Sequence, residues 1–388
     1  MYTVKLKKNE EKRIMGGHPW IYANEVLKIE GKDVQGSIAR VESFEGKFIG
    51  YGMINHHSKI IVRIISRDET PVDREFFFKR IKAANDYRVS LGYGDNYRVV
   101  FGESDFLPGL IVDKYGDYLS TQFLALGMET RKGMIVEILT EIFHPKGIYE
   151  RDDVSVREKE GLPEFKGTIY GSVPETVEIE ENGLKMLVDL EHGQKTGYFL
   201  DQKENRDNLK FYVKSKDVLD CFCNVGGFSL CASKYGAKSV VAVDVSESAL
   251  EMVKKHAEMN GFSNIATLKA DVFEQLRLFR SENRKFDVIV LDPPAFTKSV
   301  DTVKEGYRGY VDINTQALKI LNPGGFLVTC SCSQHLTMEL FLNMIKESVQ
   351  SARVEAKIVE LRLQGKDHAT LIGADESLYL KVAVIFIS

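Results

Sequence analysis

Between Asp217 and Ala352 the chain repeats one pattern five times, a short apolar run rich in β-branched residues followed by an amphipathic stretch with helical spacing. The runs are DVLDCF, SVVAVDVS, ATLKA, FDVIVLD and GFLVTCSCS; the helical stretches include ESALEMVKKHAEMNG, VFEQLRLFRSE and MELFLNMIKESVQSA. Strands apolar on both faces need cover on both faces, and helical crossovers supply it while returning the chain in the same direction. The segment is expected to form a parallel, doubly wound α/β sheet with right-handed crossovers. Ligands of such sheets bind at the carboxyl ends of the strands.

The rest of the sequence reads differently. At 388 residues the chain exceeds the roughly 250 to 300 at which one core stops growing, so further domains are expected. Residues 1–70 carry the runs YTVKL, WIYANEVL, GSIARVES, KFIGYGMI and KIIVRIIS between Gly, Asn and charged turns, which predicts a small β-barrel. Residues 71–180 combine two helical runs, VDREFFFKRIKAANDYRVSLG and METRKGMIVEILTEIF, with a hairpin around KYGD and the strand KGIYERDD. That section reads as an α+β middle domain, leaving 181–388 for the α/β domain.

Charge and cysteine usage narrow the function classes. The first 15 residues are too charged for a signal peptide, and no run reaches the ~18 apolar residues of a membrane span. Cys221, Cys223, Cys231, Cys330 and Cys332 lie in apolar text without zinc-ligand spacing. A reduced, cytoplasmic protein with no metal and no membrane is expected. A net charge of −4 excludes a uniformly basic nucleic-acid coat, yet residues 1–70 hold 12 Lys/Arg against 9 Asp/Glu, so the front end is the basic end.

The motifs lie at the expected strand ends. In VLDCFCNVGGFSL a strand ends at Asp220, a loop carries Asn224 and Gly226, and the next strand ends at Asp244. A glycine-bearing turn lets a ligand approach the backbone, and the second carboxylate can bind ribose hydroxyls. The loop lacks G-x-G-x-x-G, so a pyrophosphate fits poorly; an acid before the loop suits a cationic ligand such as the amino group of S-adenosylmethionine (SAM). Asp271 ends a third strand, where an adenine amino group or a helix N-cap would each explain it. Together these three strand ends resemble the cofactor-binding half of class I SAM-dependent methyltransferases, over about Gly183 to Ser388.

The fourth strand ends in VIVLDPPAF. Two prolines stiffen the loop, which would fix Asp292 and the Phe296 ring above the cofactor's methyl group. Such a loop serves amine methylation, where an aromatic stacks on the base, and carbon methylation, where the Asp contacts the pyrimidine edge. Carbon 5 of cytosine is a poor nucleophile until a thiolate adds to carbon 6, so that chemistry needs a cysteine. Two follow Gly324-Gly325 in GGFLVTCSCSQ. Cys330 lies deeper in its strand and reads as packing, whereas Cys332 is nearer the carboxyl edge and reads as the nucleophile.

Two further stretches complete the resemblance. In HGQKTGYFLDQKENR, Gln194, Thr196, Phe199 and Asp201 match the element that helps cover SAM in ribosomal RNA methyltransferases, a solvated linker being the plainer alternative. EEKRIMGGHPWIYANEV resembles the opening of a PUA domain, an RNA-binding β-barrel, with Arg13 and His18 as phosphate contacts and Trp20 read as core. Over essentially its full length the chain resembles the PUA-linked bacterial large-subunit ribosomal RNA cytosine-carbon-5 methyltransferases. The resemblance implies SAM as cofactor, 23S ribosomal RNA as partner and a homodimer. It also places the nucleophile about seven residues beyond the second glycine, at Cys332. Many RNA carbon-5 enzymes carry a second cysteine after the motif's first proline; here Pro294 follows Pro293, so another base must remove the carbon-5 proton. The rival readings are a nitrogen methyltransferase that uses no thiol and a SAM-binding assembly factor without turnover.

Overall fold

Residues 1–297 and 300–388 are described by the computed structural model, and they divide into two units. Residues 1–179, 188–201 and 366–377 form the first; 180–187, 202–365 and 378–388 form the second. Where the sequence suggested a cut near residue 180, two later segments, 188–201 and 366–377, join the first unit. No helix among the described residues is long and apolar enough to cross a membrane.

The first unit opens with β1 (Tyr2–Leu6), α1 (Glu11–Met15), β2 (Trp20–Tyr22), β3 (Val26–Glu30), β4 (Ile38–Glu42), β5 (Phe48–Ile54) and β6 (Ile60–Ser66). The strands form one sheet in the order β2-β6-β5-β4-β1-β3. Alternate residues such as Val4 and Leu6, Ala39 and Val41, and Val62 and Ile64 meet in its core. WIYANEVL, read as one strand, is two, because a 3-10 turn at Ala23–Glu25 interrupts it. The Glu25 carboxylate holds that turn by accepting the Tyr22 N–H at 2.6 Å.

The α+β section follows as α2 (Arg74–Ser90), β7 (Asn96–Phe101), β8 (Leu110–Tyr115), β9 (Tyr118–Phe123), α3 (Leu126–Glu129), α4 (Lys132–Phe143), β10 (Gly147–Arg151) and β11 (Lys166–Gly171). Asp73 caps α2 by accepting the Phe76 N–H. The expected hairpin is β8 and β9, turning at Gly116 with φ +56°. The sheet runs β11-β10-β9-β8-β7. Two arginines, Arg88 fully buried and Arg98 partly so, explain why the later segments belong here. Arg88 is fully buried, with its guanidinium on Asp105 (2.5 and 2.7 Å) and on the Asp367 carbonyl (2.7 Å). Arg98 pairs with Asp113 at 2.5 Å, and the Asp113 carboxylate also accepts the Thr196 hydroxyl.

A hairpin of β12 (Val177–Glu181) and β13 (Leu184–Val188) turns on Asn182-Gly183, both with positive φ. The second unit then contains α5 (Lys203–Asp207), β14 (Asp217–Cys221), α6 (Gly227–Lys234), β15 (Ser239–Asp244), α7 (Glu247–Met259), β16 (Ile265–Lys269), α8 (Val272–Ser281), β17 (Phe286–Leu291), α9 (Val303–Lys319), β18 (Leu321–Ser331), α10 (Met338–Ala352), β19 (Ala356–Leu363) and β20 (Lys381–Ile387). The sheet order is β16-β15-β14-β17-β18-β20-β19. Strands β14 to β18 are parallel as expected. β20, which lies beyond the segment read from the sequence, runs antiparallel to both β18 and β19. No helical crossover joins β19 to β20; the chain between them instead supplies residues 366–377 to the first unit. Strand order reverses between β14 and β17, and that is where a doubly wound sheet opens a ligand crevice.

Candidate active site

The carboxyl ends of β15, β14, β17 and β18 lie side by side in the sheet. At the end of β14, Asp220 is 1% exposed; its Oδ2 accepts the Ser229 hydroxyl at 2.6 Å and its Oδ1 has no partner. Burial, aided by the charges of Asp292 and Asp244 and opposed by Ser229, pushes its carboxyl up to about 7. A buried carboxyl with a vacant oxygen is complementary to an ammonium group, so Asp220 fits the amino group of SAM on its own geometry.

The following loop is shaped by left-handed residues, with φ +60° at Phe222, +49° at Asn224 and +88° at Gly226. A Cβ on Gly226 would lie 3.0 Å from Val253 as well as in that strained conformation. Gly226 then opens α6. Asp244 stands across the loop, half-buried, with one oxygen accepting the Asn224 N–H and the other the Ser246 N–H, each at 2.9 Å. Each oxygen keeps a lone pair, as ribose hydroxyls require. Asp271 is exposed and caps α8 through the Glu274 N–H at 3.1 Å, so the N-cap explanation holds for one of its oxygens.

Asp292 follows β17 beside Asp220. Its Oδ1 accepts the Gln202 amide at 2.9 Å; Gln202 accepts from Asn205 at 2.8 Å, and Asn205 accepts from Arg362 at 2.9 Å. Gln202 was not singled out in the sequence, although it is the next residue after Asp201. Cys332 lies just past β18, partly exposed, with Sγ 3.9 Å from the Pro293 carbonyl. The other four cysteines are buried. Burial and the neighbouring Asp292 charge push the Cys330 thiol far above its usual range, which makes it a packing group.

Ser333 locks the proline loop to the strand. Its hydroxyl receives the Thr297 N–H at 3.2 Å and shares a 2.9 Å hydrogen bond with the Tyr310 hydroxyl. Phe296, expected to stack on a base, packs against Tyr310 (4.6 Å between centroids) and Phe273 (5.7 Å).

The other expected residues belong to the first unit. Gln194 is exposed in a tight turn closed by the Gly197 N–H, Thr196 is buried on Asp113, Phe199 lies under the Lys195 ammonium at 4.7 Å, and Asp201 is buried. Arg13 and His18, expected on RNA phosphates, are engaged inside the β module. Arg13 pairs with Glu25 at 2.6 Å and donates to the Trp20 carbonyl, and His18, 8% exposed, accepts the Trp20 N–H. A buried glutamate beside Arg13 accounts for this, since its charge must be balanced locally. The glycine pair has a packing reason too: a Cβ on Gly373 would strike the Gly17 backbone at 2.4 Å.

Residues 4–67 match a PUA-like domain, and residues 164–362 match the S-adenosylmethionine-dependent methyltransferase family. The chain is 43% identical over 387 residues to ribosomal RNA large subunit methyltransferase I of Vibrio cholerae, covering 98% of each chain. The protein of the same name from Aeromonas salmonicida is 42% identical with the same coverage. Among solved structures, a SAM-dependent methyltransferase from Streptococcus mutans superposes with a TM-score of 0.84 at 23% identity, over 99% of this chain and 100% of that one. A methyltransferase complexed with SAH superposes at 0.86, also at 23% identity and the same coverage. These two likenesses carry the fold.

Proposed function

The chain belongs to the S-adenosylmethionine-dependent methyltransferases, in the family of ribosomal RNA large subunit methyltransferase I, and on that premise we propose that it methylates carbon 5 of a cytosine in 23S ribosomal RNA through a covalent adduct on Cys332. The observation that carries the reading is the position of Cys332. Of five cysteines it is the one not buried, and it sits at the carboxyl edge against the proline loop that holds Asp292.

Asp220 would hold the ammonium of SAM, the Asn224–Gly226 loop its chain, Asp244 its ribose and Asp271 its adenine. Bound there, SAM supplies an electrophilic methyl group. The Cys332 thiolate adds to carbon 6 of the base, forming a C–S bond and making carbon 5 electron-rich. Asp292, oriented by Gln202, accepts from the exocyclic amino group of the base and so holds carbon 6 in position for the addition. Once carbon 5 is methylated, loss of its proton re-forms the ring double bond and expels the Cys332 thiolate. Residues 1–70 serve as the RNA-gripping module, 71–180 as the middle domain and 181–388 as the catalytic domain.

An RNA carrying 5-fluorocytosine cannot lose the carbon-5 substituent, so the wild-type protein should form an adduct that survives denaturing electrophoresis. Cys332→Ala should form none and should leave the target unmethylated. Full methylation by Cys332→Ala would replace this reading with nitrogen methylation.

A further inference from the structure

We infer that Lys381 is the counter-ion of the Cys332 thiolate, an ammonium built into the central sheet to keep the sulfur ionised; the inference rests on the reading of Cys332 as nucleophile. Lys381 opens β20, where its register partners are Ser331 on β18 and Leu363 on β19. Its side chain therefore leaves the ladder level with the residue just before Cys332. It is 1% exposed, and Nζ donates to the carbonyl of Ser333, the residue just after Cys332, at 2.7 Å. The amine thus spans the backbone on both sides of the thiol.

Lysine is almost never fully buried unless paired. Among the described residues no carboxylate forms an ion pair with Lys381; the one charge that acts on it is the Cys332 thiolate. Burial brings Lys381 down to about 8, with the Cys332 thiolate already working in the opposite direction. The other titratable groups around the β18 end do not take the thiolate's place. Cys330, across from Val382, stays a thiol. Tyr310 bonds Ser333 and is kept neutral by burial. Asp292 is directed to Gln202. A buried amine without an anion is costly, and an anion at Cys332 relieves that cost while the amine relieves the thiolate's.

Ionisation within the pair is balanced. The Sγ–H bond breaks and an Nζ–H bond forms, giving thiolate and ammonium with no change in total charge. When the adduct collapses, sulfur leaves carbon 6 with the bonding electrons and returns to the same ammonium.

The rate of Cys332 alkylation by iodoacetamide as a function of pH reads the thiol's ionisation, because the other cysteines are buried. Lys381→Met should raise the midpoint by at least about one pH unit and slow alkylation at pH 7 about tenfold, whereas Lys381→Arg should keep most of the wild-type rate. A second measurement does not depend on the folding of Lys381→Met. In protein with 13C-labelled lysine, Cys332→Ser should lower the Lys381 titration midpoint followed by NMR, since linkage is reciprocal. Unchanged midpoints overturn the ion pair. If the wild type fails to trap 5-fluorocytosine RNA while the midpoints still shift, the nucleophile reading is lost and the ion pair stands.

Discussion

Gln202 donates its side-chain N–H to Asp292 Oδ1 at 2.9 Å, and is itself held by Asn205. The amide holds the Asp292 carboxylate in one orientation. Gln202→Leu should therefore lower kcat about tenfold, the scale of one lost hydrogen bond to a charged group, while leaving SAH affinity within about twofold. Single-turnover methylation and calorimetric SAH titration separate the two. A loss of SAH affinity with unchanged kcat would place Gln202 in cofactor binding instead.

Asp220 carries a pH signature. Its carboxyl, pushed up to about 7 by burial, binds a proton in the folded state that the unfolded chain has already released above pH 4. The stability it contributes is thus present at low pH and is lost as pH rises from about 4 to 7, on the order of 4 kcal/mol at the limit. Cofactor binding runs the other way, because the ammonium needs the ionised carboxylate. SAH affinity should rise with pH through about 7 in the wild type and be flat in Asp220→Asn, as measured by calorimetry across that range.

Ser333 ties three elements together. Ser333→Ala takes one of the two serine partners, Ser331 and Ser333, from the buried Tyr310 hydroxyl and removes the acceptor for Thr297. Chemical denaturation should show a loss of about 1–3 kcal/mol. Because the proline loop loses its anchor, methylation should fall more than SAH binding does.

Gly226→Ala combines a left-handed backbone with a Cβ 3.0 Å from Val253. The strain is about 1–2 kcal/mol, and it falls on the loop proposed to lie along the cofactor. SAH affinity should drop at least tenfold, with the adduct-forming chemistry of the residual complex retained. Equal SAH affinity in the mutant would detach this loop from the cofactor.

The parallel half of the second unit was legible because its strands are apolar on both faces and its helices are amphipathic, a pattern that local spacing reveals. β20 was not, since KVAVIFI reads equally as a parallel strand and its direction is set by its neighbours β18 and β19. Asp220, Asp244, Asp292 and Cys332 were expected at strand ends, and that is where the structure has them. Gln202, Tyr310, Ser333 and Lys381 were missed because their importance lies in which partner they meet across long stretches of chain. Arg13 and His18 illustrate the converse. Their residue types suit RNA, but Glu25, twelve residues beyond Arg13, takes the guanidinium, and nothing in local composition announces that pairing.

The reach from Arg88 to Asp367 spans 279 residues. During synthesis, the first unit cannot complete its buried hydrogen-bond set until nearly all of the second unit's chain has followed it out of the ribosome. Domains commonly mature in order from the amino end, but that order is broken here. A nascent chain halted before residue 366 would expose a half-satisfied guanidinium and an open seam, a substrate for chaperones and proteases. Non-local closure of this kind also slows folding, so the rate-limiting step of the first unit should depend on a segment lying far downstream in the sequence.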